Sequence, residues 1–177
     1  YDLVDLRKAY KRYHPLDLVQ HPAVVWLPYQ VSVMSFFERR AMGIPVFVPS
    51  LDLLIDWHRR FGLVFERRFD WSTAGSRRGS LLPPHPSARQ HIAQHDPNDE
   101  RSKEAIAFWL GLSDFYQLPG VLHFDSWEHL VSLIRTADLK QASEIIREHY
   151  FQLEKEVYAE WKDVISKVVG GHSPGER

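Results

Sequence analysis

Apolar residues Leu3, Leu6 and Tyr10 recur at helical spacing, with Arg7, Lys8, Lys11 and Arg12 on the opposite side. That pattern predicts a helix over residues 2–13, broken by Pro15. The pattern then changes. "AVVWLP", Ala23 to Pro28, is a continuous apolar run with β-branched and aromatic residues, the signature of a strand buried on both faces. A loop follows, and residues 34–42 read as a helix with Gly43 where a C-terminal glycine belongs. "IPVFVP", Ile44 to Pro49, predicts a second buried strand. "SLDLLIDWHRRFG" predicts a helix capped by Ser50 or Asp52 and ended by Gly62.

Strand, helix, strand and helix at short spacing point to a right-handed βαβ unit and a parallel sheet. The periodicity then stops. Residues 66–101 are rich in Ser, Pro, Arg, Gly and His and read as a long, partly mobile excursion. Order resumes with a helix from about Lys103, a third strand over Val121 to Phe124, and a helix capped by Ser126. Residues 139–169 predict one broken or two consecutive amphipathic helices, and 170–177 a disordered tail. The expected fold class is α/β, a Rossmann-like parallel sheet with flanking helices. Residues 1–177 form one domain with an irregular insertion at 66–101.

Composition narrows the function classes. With 177 residues and 44% hydrophobic residues the chain can bury a sizeable core. A formal net charge of −1 argues against a generic nucleic-acid coat, though not against one local phosphate site. The absence of Cys excludes disulfides and thiolate metal sites. No apolar run reaches the roughly 20 residues needed to span a bilayer. The first residues do not form a signal peptide, and a chain opening on Tyr1 reads as a segment of a longer protein. The compartment is left open.

Glu38 is the one acid within the helix following "PYQVSV", and the residues after it run Glu38, Ala41, Gly43, Pro45, Val46. This order, E-x-x-A-x-G-x-P-V, resembles the C-terminal donor-binding domain of GT-B nucleotide-sugar glycosyltransferases of the retaining type. The resemblance extends over residues 22–63 and 121–169. It implies transfer of a sugar from a nucleotide diphosphate donor to an acceptor, with Glu38 on the ribose hydroxyls and loop amides at the diphosphate. The family's second Glu, near the donor sugar, falls at Gln30, whose amide can bond a hydroxyl but carries no charge. Its glycine-rich loop corresponds to Val31, Ser32 and Val33. On this resemblance Gln30 takes the catalytic position, and Tyr29, Val31, Ser32, Val33 and Glu38 bind the donor. No metal or other cofactor is expected. The acceptor half would be a second Rossmann-like half upstream or a partner chain.

Elementary chemistry points the same way. A helix N-terminus after a parallel strand gathers unpaired N–H groups and positive dipole, a ready diphosphate site at the carboxyl end of a sheet. Ser32 could cap that end or donate to a phosphate oxygen. Glu38 lies about one turn in, sharing a face with Met34 and Met42 that reads as apolar, an unnatural setting for a merely solvated carboxylate. The alternative is a subunit that kept the fold and lost catalysis, motivated by Gln30, the absent loop glycines and the excursion. A generic nucleotide-binding module is a third reading. Elsewhere, His91 and His95 stand at i, i+4 but in a Pro-rich context, so a metal site is disfavoured. His123 beside Asp125 is the best of the isolated histidines. The pairs Arg59–Arg60, Arg67–Arg68 and Arg77–Arg78 read as solvated surface or, as the alternative, as contacts to an anionic substrate or partner chain. Trp57, Trp109, Trp127 and Trp161 read as core.

Overall fold

The computed structural model describes residues 3–65 and 95–170. Among the described residues three parallel strands form the sheet, in the order β1 (Val24–Val25), β2 (Val46–Pro49), β3 (Val121–Phe124). β2 is central: Val24 and Val25 pair with Val46 and Phe47, and Val46 to Pro49 pair with Val121 to Phe124. All four β2 residues are buried, as their uninterrupted apolar run requires. Trp26 N–H donates to the Phe47 carbonyl at 2.8 Å, and Ser50 N–H to the Phe124 carbonyl at 2.8 Å, so the pairing continues into both loops.

Successive β2 side chains point to opposite faces. Val46 and Val48 meet Val33, Phe36 and Phe115 on one side; Phe47 meets Phe124, Leu130, Leu53 and Trp57 on the other. The first face is covered by α2 (Met34–Ala41) and by α5 (Asp114–Gln117), which supplies Phe115. The second is covered by α3 (Leu51–Phe61) and α6 (Trp127–Thr136). A further cluster joins Leu54 and Ile55 of α3 to Ile106 and Leu110 of α4 (Lys103–Gly111). The coarse expectation of a parallel α/β sheet with flanking helices is met.

Details differ from the sequence reading. The N-terminal helix, α1, covers only Leu6–Ala9, with Asp5 accepting from Arg7 N–H at 2.9 Å. None of its residues is fully buried and only Leu6 packs on the Leu18, Val24 and Ile44 cluster, too little contact to propagate a longer helix. Residues Pro15–Gln20 form a 3₁₀ helix. The helix expected from Lys103 stops at Gly111, and Ser113 starts the short α5. Residues 139–170 form a single helix, α7 (Leu139–Gly170), because no glycine or proline interrupts them before Gly170. Its first part packs through Ala142 and Ile146; from Phe151 on it projects, leaving Tyr158, Trp161, Ile165 and Val168 exposed. Trp161 is therefore surface and not core. Trp127, 53% exposed, stacks on Trp57 with centroids 5.2 Å apart. Most of the expected excursion, residues 66–94, the tail at 171–177, His91 and the pairs Arg67–Arg68 and Arg77–Arg78 lie outside the described residues. No described helix is long and apolar enough to cross a membrane.

Candidate functional site at the carboxyl end of the first strand

Residues 26–33 lead from β1 to the N-terminus of α2, the position that ligands take in open parallel sheets. The Tyr29 carbonyl accepts from Phe65 N–H at 2.8 Å, which ties this loop to the chain leaving α3. Tyr29 and Ser32 are exposed and Gln30 is half-buried. Val31 leans on the Leu54, Ile55 and Ile106 cluster, and Val33 is buried against Phe36 and Phe115. The two valine side chains are turned into the core, so any ligand contact from them falls to the backbone.

The N-cap of α2 is Val33, and no side chain caps the helix. Ser32 does not take that role, because a cap must supply its oxygen from the residue at the helix boundary. The first-turn amides are thus left to other acceptors.

Around α2, Phe36, Arg39, Arg40 and Gly43 stand at i, i+3, i+4 and i+7, and the first three are buried. The other side carries Met34, 77% exposed, and the exposed Glu38. That face is apolar only at Met42, which packs against Leu18, Val24 and Ile44; at Met34 and Glu38 it is a solvent face, and the expectation of an apolar setting for Glu38 is corrected. Its carboxylate is open to a ligand and to water alike.

The sequence reading missed the two buried cations. Arg39 lays its guanidinium carbon 4.3 Å from the Trp26 ring centroid, and its Nη1 donates to the Ser35 carbonyl. Arg40 donates from Nη1 to the Pro119 carbonyl at 2.8 Å, with Nη2 3.3 Å from His149 Nδ1 on α7. Burial lowers the pKa of both; Tyr13, Glu38 and Tyr29 oppose this at Arg39, and Asp114 opposes it at Arg40. The signal was present, since both arginines hold helical spacing from Phe36, but charge disguised the buried face.

Three histidines make packing and hydrogen-bond contacts within the fold. His123 Nε2 lies 3.0 Å from the Phe115 carbonyl, and the ring stacks on Tyr116. His95 stacks on Phe108, with centroids 4.6 Å apart. His58 is buried on α3: its Nδ1 accepts from Val64 N–H at 3.3 Å, which leaves the proton on Nε2, 2.7 Å from Glu100 Oε2. That bond holds the chain ahead of α4 against α3. Among the described residues no three His, Asp or Glu side chains gather as metal ligands would. Comparison with protein-family models, curated proteins and solved structures gives no match.

Proposed function

We propose that this domain binds a nucleotide diphosphate sugar at the β1–α2 junction and serves as the donor-binding half of a glycosyltransferase. The observation that carries this reading is the joint placement of Glu38 and the α2 N-terminus. The E-x-x-A-x-G-x-P-V stretch lies on a helix and strand of a parallel sheet, with Glu38 accessible and the first turn of α2 without a side-chain cap. Glu38 accepts the ribose hydroxyls, while amides of residues 31–33 and the start of α2 take the diphosphate. Ser32 can add its hydroxyl, Tyr29 flanks the nucleotide, and Gln30 faces the donor sugar. Stabilising the departing diphosphate by fixed dipoles is the chemistry such a site supplies. The acceptor half comes from another part of the protein or from a partner chain, and the exposed apolar residues of projecting α7 support a larger assembly.

A second reading, a glycosyltransferase-like subunit without turnover, draws on Gln30: an amide replaces the charged group the resemblance leads one to expect. Calorimetric titration with UDP and GDP tests the site. Binding that Glu38→Ala weakens about tenfold or more, the worth of a lost charge-assisted hydrogen bond, upholds it. Failure of both nucleotides to bind, or binding indifferent to Glu38, refutes it. Binding without sugar release from the matching nucleotide sugar selects the second reading.

A further inference from the structure

Every residue from Glu154 to Val169 of α7 is exposed, so the last part of this helix stands clear of the domain over about 24 Å. Most helical stability in proteins comes from packing an apolar face, and this stretch leaves such a face in water. Val157, Trp161, Val164 and Val168 alternate four and three residues apart, with Tyr158 and Ile165 beside them; all six are 42–69% exposed. That spacing is a seam for a second helix. The seam is bounded on its N-terminal side: its next position is Glu154, and Phe151 is covered by the Lys155 ammonium, 4.0 Å from the ring centroid.

Charge narrows the partner. Three and four residues away on its own helix Glu160 has Glu156 and Asp163 and no Lys or Arg. Lys167 lies two turns on along the same flank, its Nζ 2.6 Å from Asp163 Oδ2. Two seams laid antiparallel about a two-fold axis between residues 162 and 163 are complementary. Trp161 then meets the partner's Val164, and Val157 meets the partner's Val168, so each indole faces a small side chain. Glu160 lies beside the partner's Lys167, twice by symmetry. A parallel pair would instead crowd Trp161 against the partner's Trp161 and set Glu160 beside the partner's Ile165. It would also bring two whole domains to one end. The antiparallel pair sends them to opposite ends, and residue 170 reaches only the level of the partner's Lys155, short of Ala142 and Ile146, where α7 packs on the domain. We infer that a second copy of this chain covers the seam, as an isologous antiparallel helix pair with Trp161 at its centre and Glu160–Lys167 on its rim. The inference goes beyond the donor-site reading and does not rest on it.

Sedimentation equilibrium of the full chain is the test. The expected result is a reversible dimer with a micromolar Kd, which Trp161→Glu weakens about 100-fold or more. Trp161 is exposed on the single chain, so the domain should keep its thermal transition in that variant. Charge reversal reads the register. Glu160→Lys alone and Lys167→Glu alone should each weaken the dimer about 5- to 30-fold, because two attractive contacts become repulsive, and the two together should restore it to within about threefold. Single cysteines read the orientation, since the chain has none of its own. Val157→Cys mixed with Val168→Cys should form a disulfide on oxidation, and neither should alone, because like positions lie about 16 Å apart along an antiparallel pair. A chain still monomeric at roughly 100 µM overturns the inference and leaves the seam to a different protein. A dimer indifferent to Trp161→Glu, a charge-reversed double variant no tighter than the single ones, or a disulfide within either cysteine variant alone overturns it too.

Discussion

Gly120→Ala should destabilise the domain more than Gly43→Ala, although the two backbones are alike. Gly43 has φ +68° and Gly120 φ +80°, so an alanine at either enters the left-handed region at a cost of about 1–2 kcal/mol. The surroundings separate them. A Cβ on Gly43 would collide with Arg147 Nε and lie 2.7 Å from its Cγ, but Arg147 is an exposed side chain that can swing aside. A Cβ on Gly120 would lie 2.6 Å from Ile146 Cγ1 and 3.2 Å from the Ala142 carbonyl oxygen. Ile146 is 1% exposed, and the carbonyl belongs to α7, so neither can yield without moving the helix. Overpacking of that kind adds about 1–3 kcal/mol. The totals are roughly 2–5 kcal/mol for Gly120→Ala and roughly 1–2 kcal/mol for Gly43→Ala. Urea unfolding followed by circular dichroism measures both. Ile146→Ala should cost less in the Gly120→Ala background than in the native chain, because it removes the atoms in conflict. Equal losses for the two alanines, or strict additivity of the Ile146 pair, would refute the argument that α7 sits rigidly on the turn before β3.

Two further outcomes follow from buried polar groups. Burial raises the Tyr116 pKa far above its usual value of 10.0, and its hydroxyl donates to the Pro49 carbonyl at 2.9 Å. Below pH 10 the phenol is protonated in both folded and unfolded chains; above it the unfolded chain ionises first, so stability falls by about 1.4 kcal/mol per pH unit. Tyr116→Phe should lose about 1 kcal/mol at neutral pH and the Tyr116 share of the alkaline slope; urea titrations between pH 8 and 11 with identical slopes would contradict this. Glu100→Ala leaves the buried His58 Nε2–H without this acceptor and should cost at least about 1–3 kcal/mol, whereas Glu100→Gln keeps an oxygen there and should cost less. Thermal unfolding of the pair of variants decides, and a larger loss for Gln than for Ala would be inconsistent with the assigned bond.

What could be read from the chain depended on whether one local signal sufficed. Val46 to Val48 could be nothing but a strand buried on both faces, and it is the centre of the sheet. The run from Ala23 to Pro28 shares that composition, yet β1 keeps only Val24 and Val25, because among the described residues it has a neighbour on one side alone and prolines at both flanks. α2 shows why the candidate site was only partly legible. Its length and its glycine stop were readable, but its orientation was inverted in part: a pattern that counts charges as outward cannot see that Arg39 and Arg40 fill the buried face. Their burial depends on Trp26, Pro119 and His149, which arrive from distant parts of the chain.

The inversion bears on how Glu38 could act. A helix of eight residues is marginal alone, so α2 owes its position to tertiary anchors. Arg39 binds it to the end of β1 through Trp26; Arg40 binds it to the turn before β3 and to α7; the Gly43 carbonyl accepts from Ser143 Oγ at 2.6 Å, again on α7. These contacts come from three directions and fix both the axis and the rotation of the helix. An exposed carboxylate on a free helix would have to be ordered by its ligand, and that ordering would weaken binding. Glu38 is exposed on a helix already immobilised by its neighbours in sequence, so the residues that hide their charge are the ones that preorganise the residue that displays it.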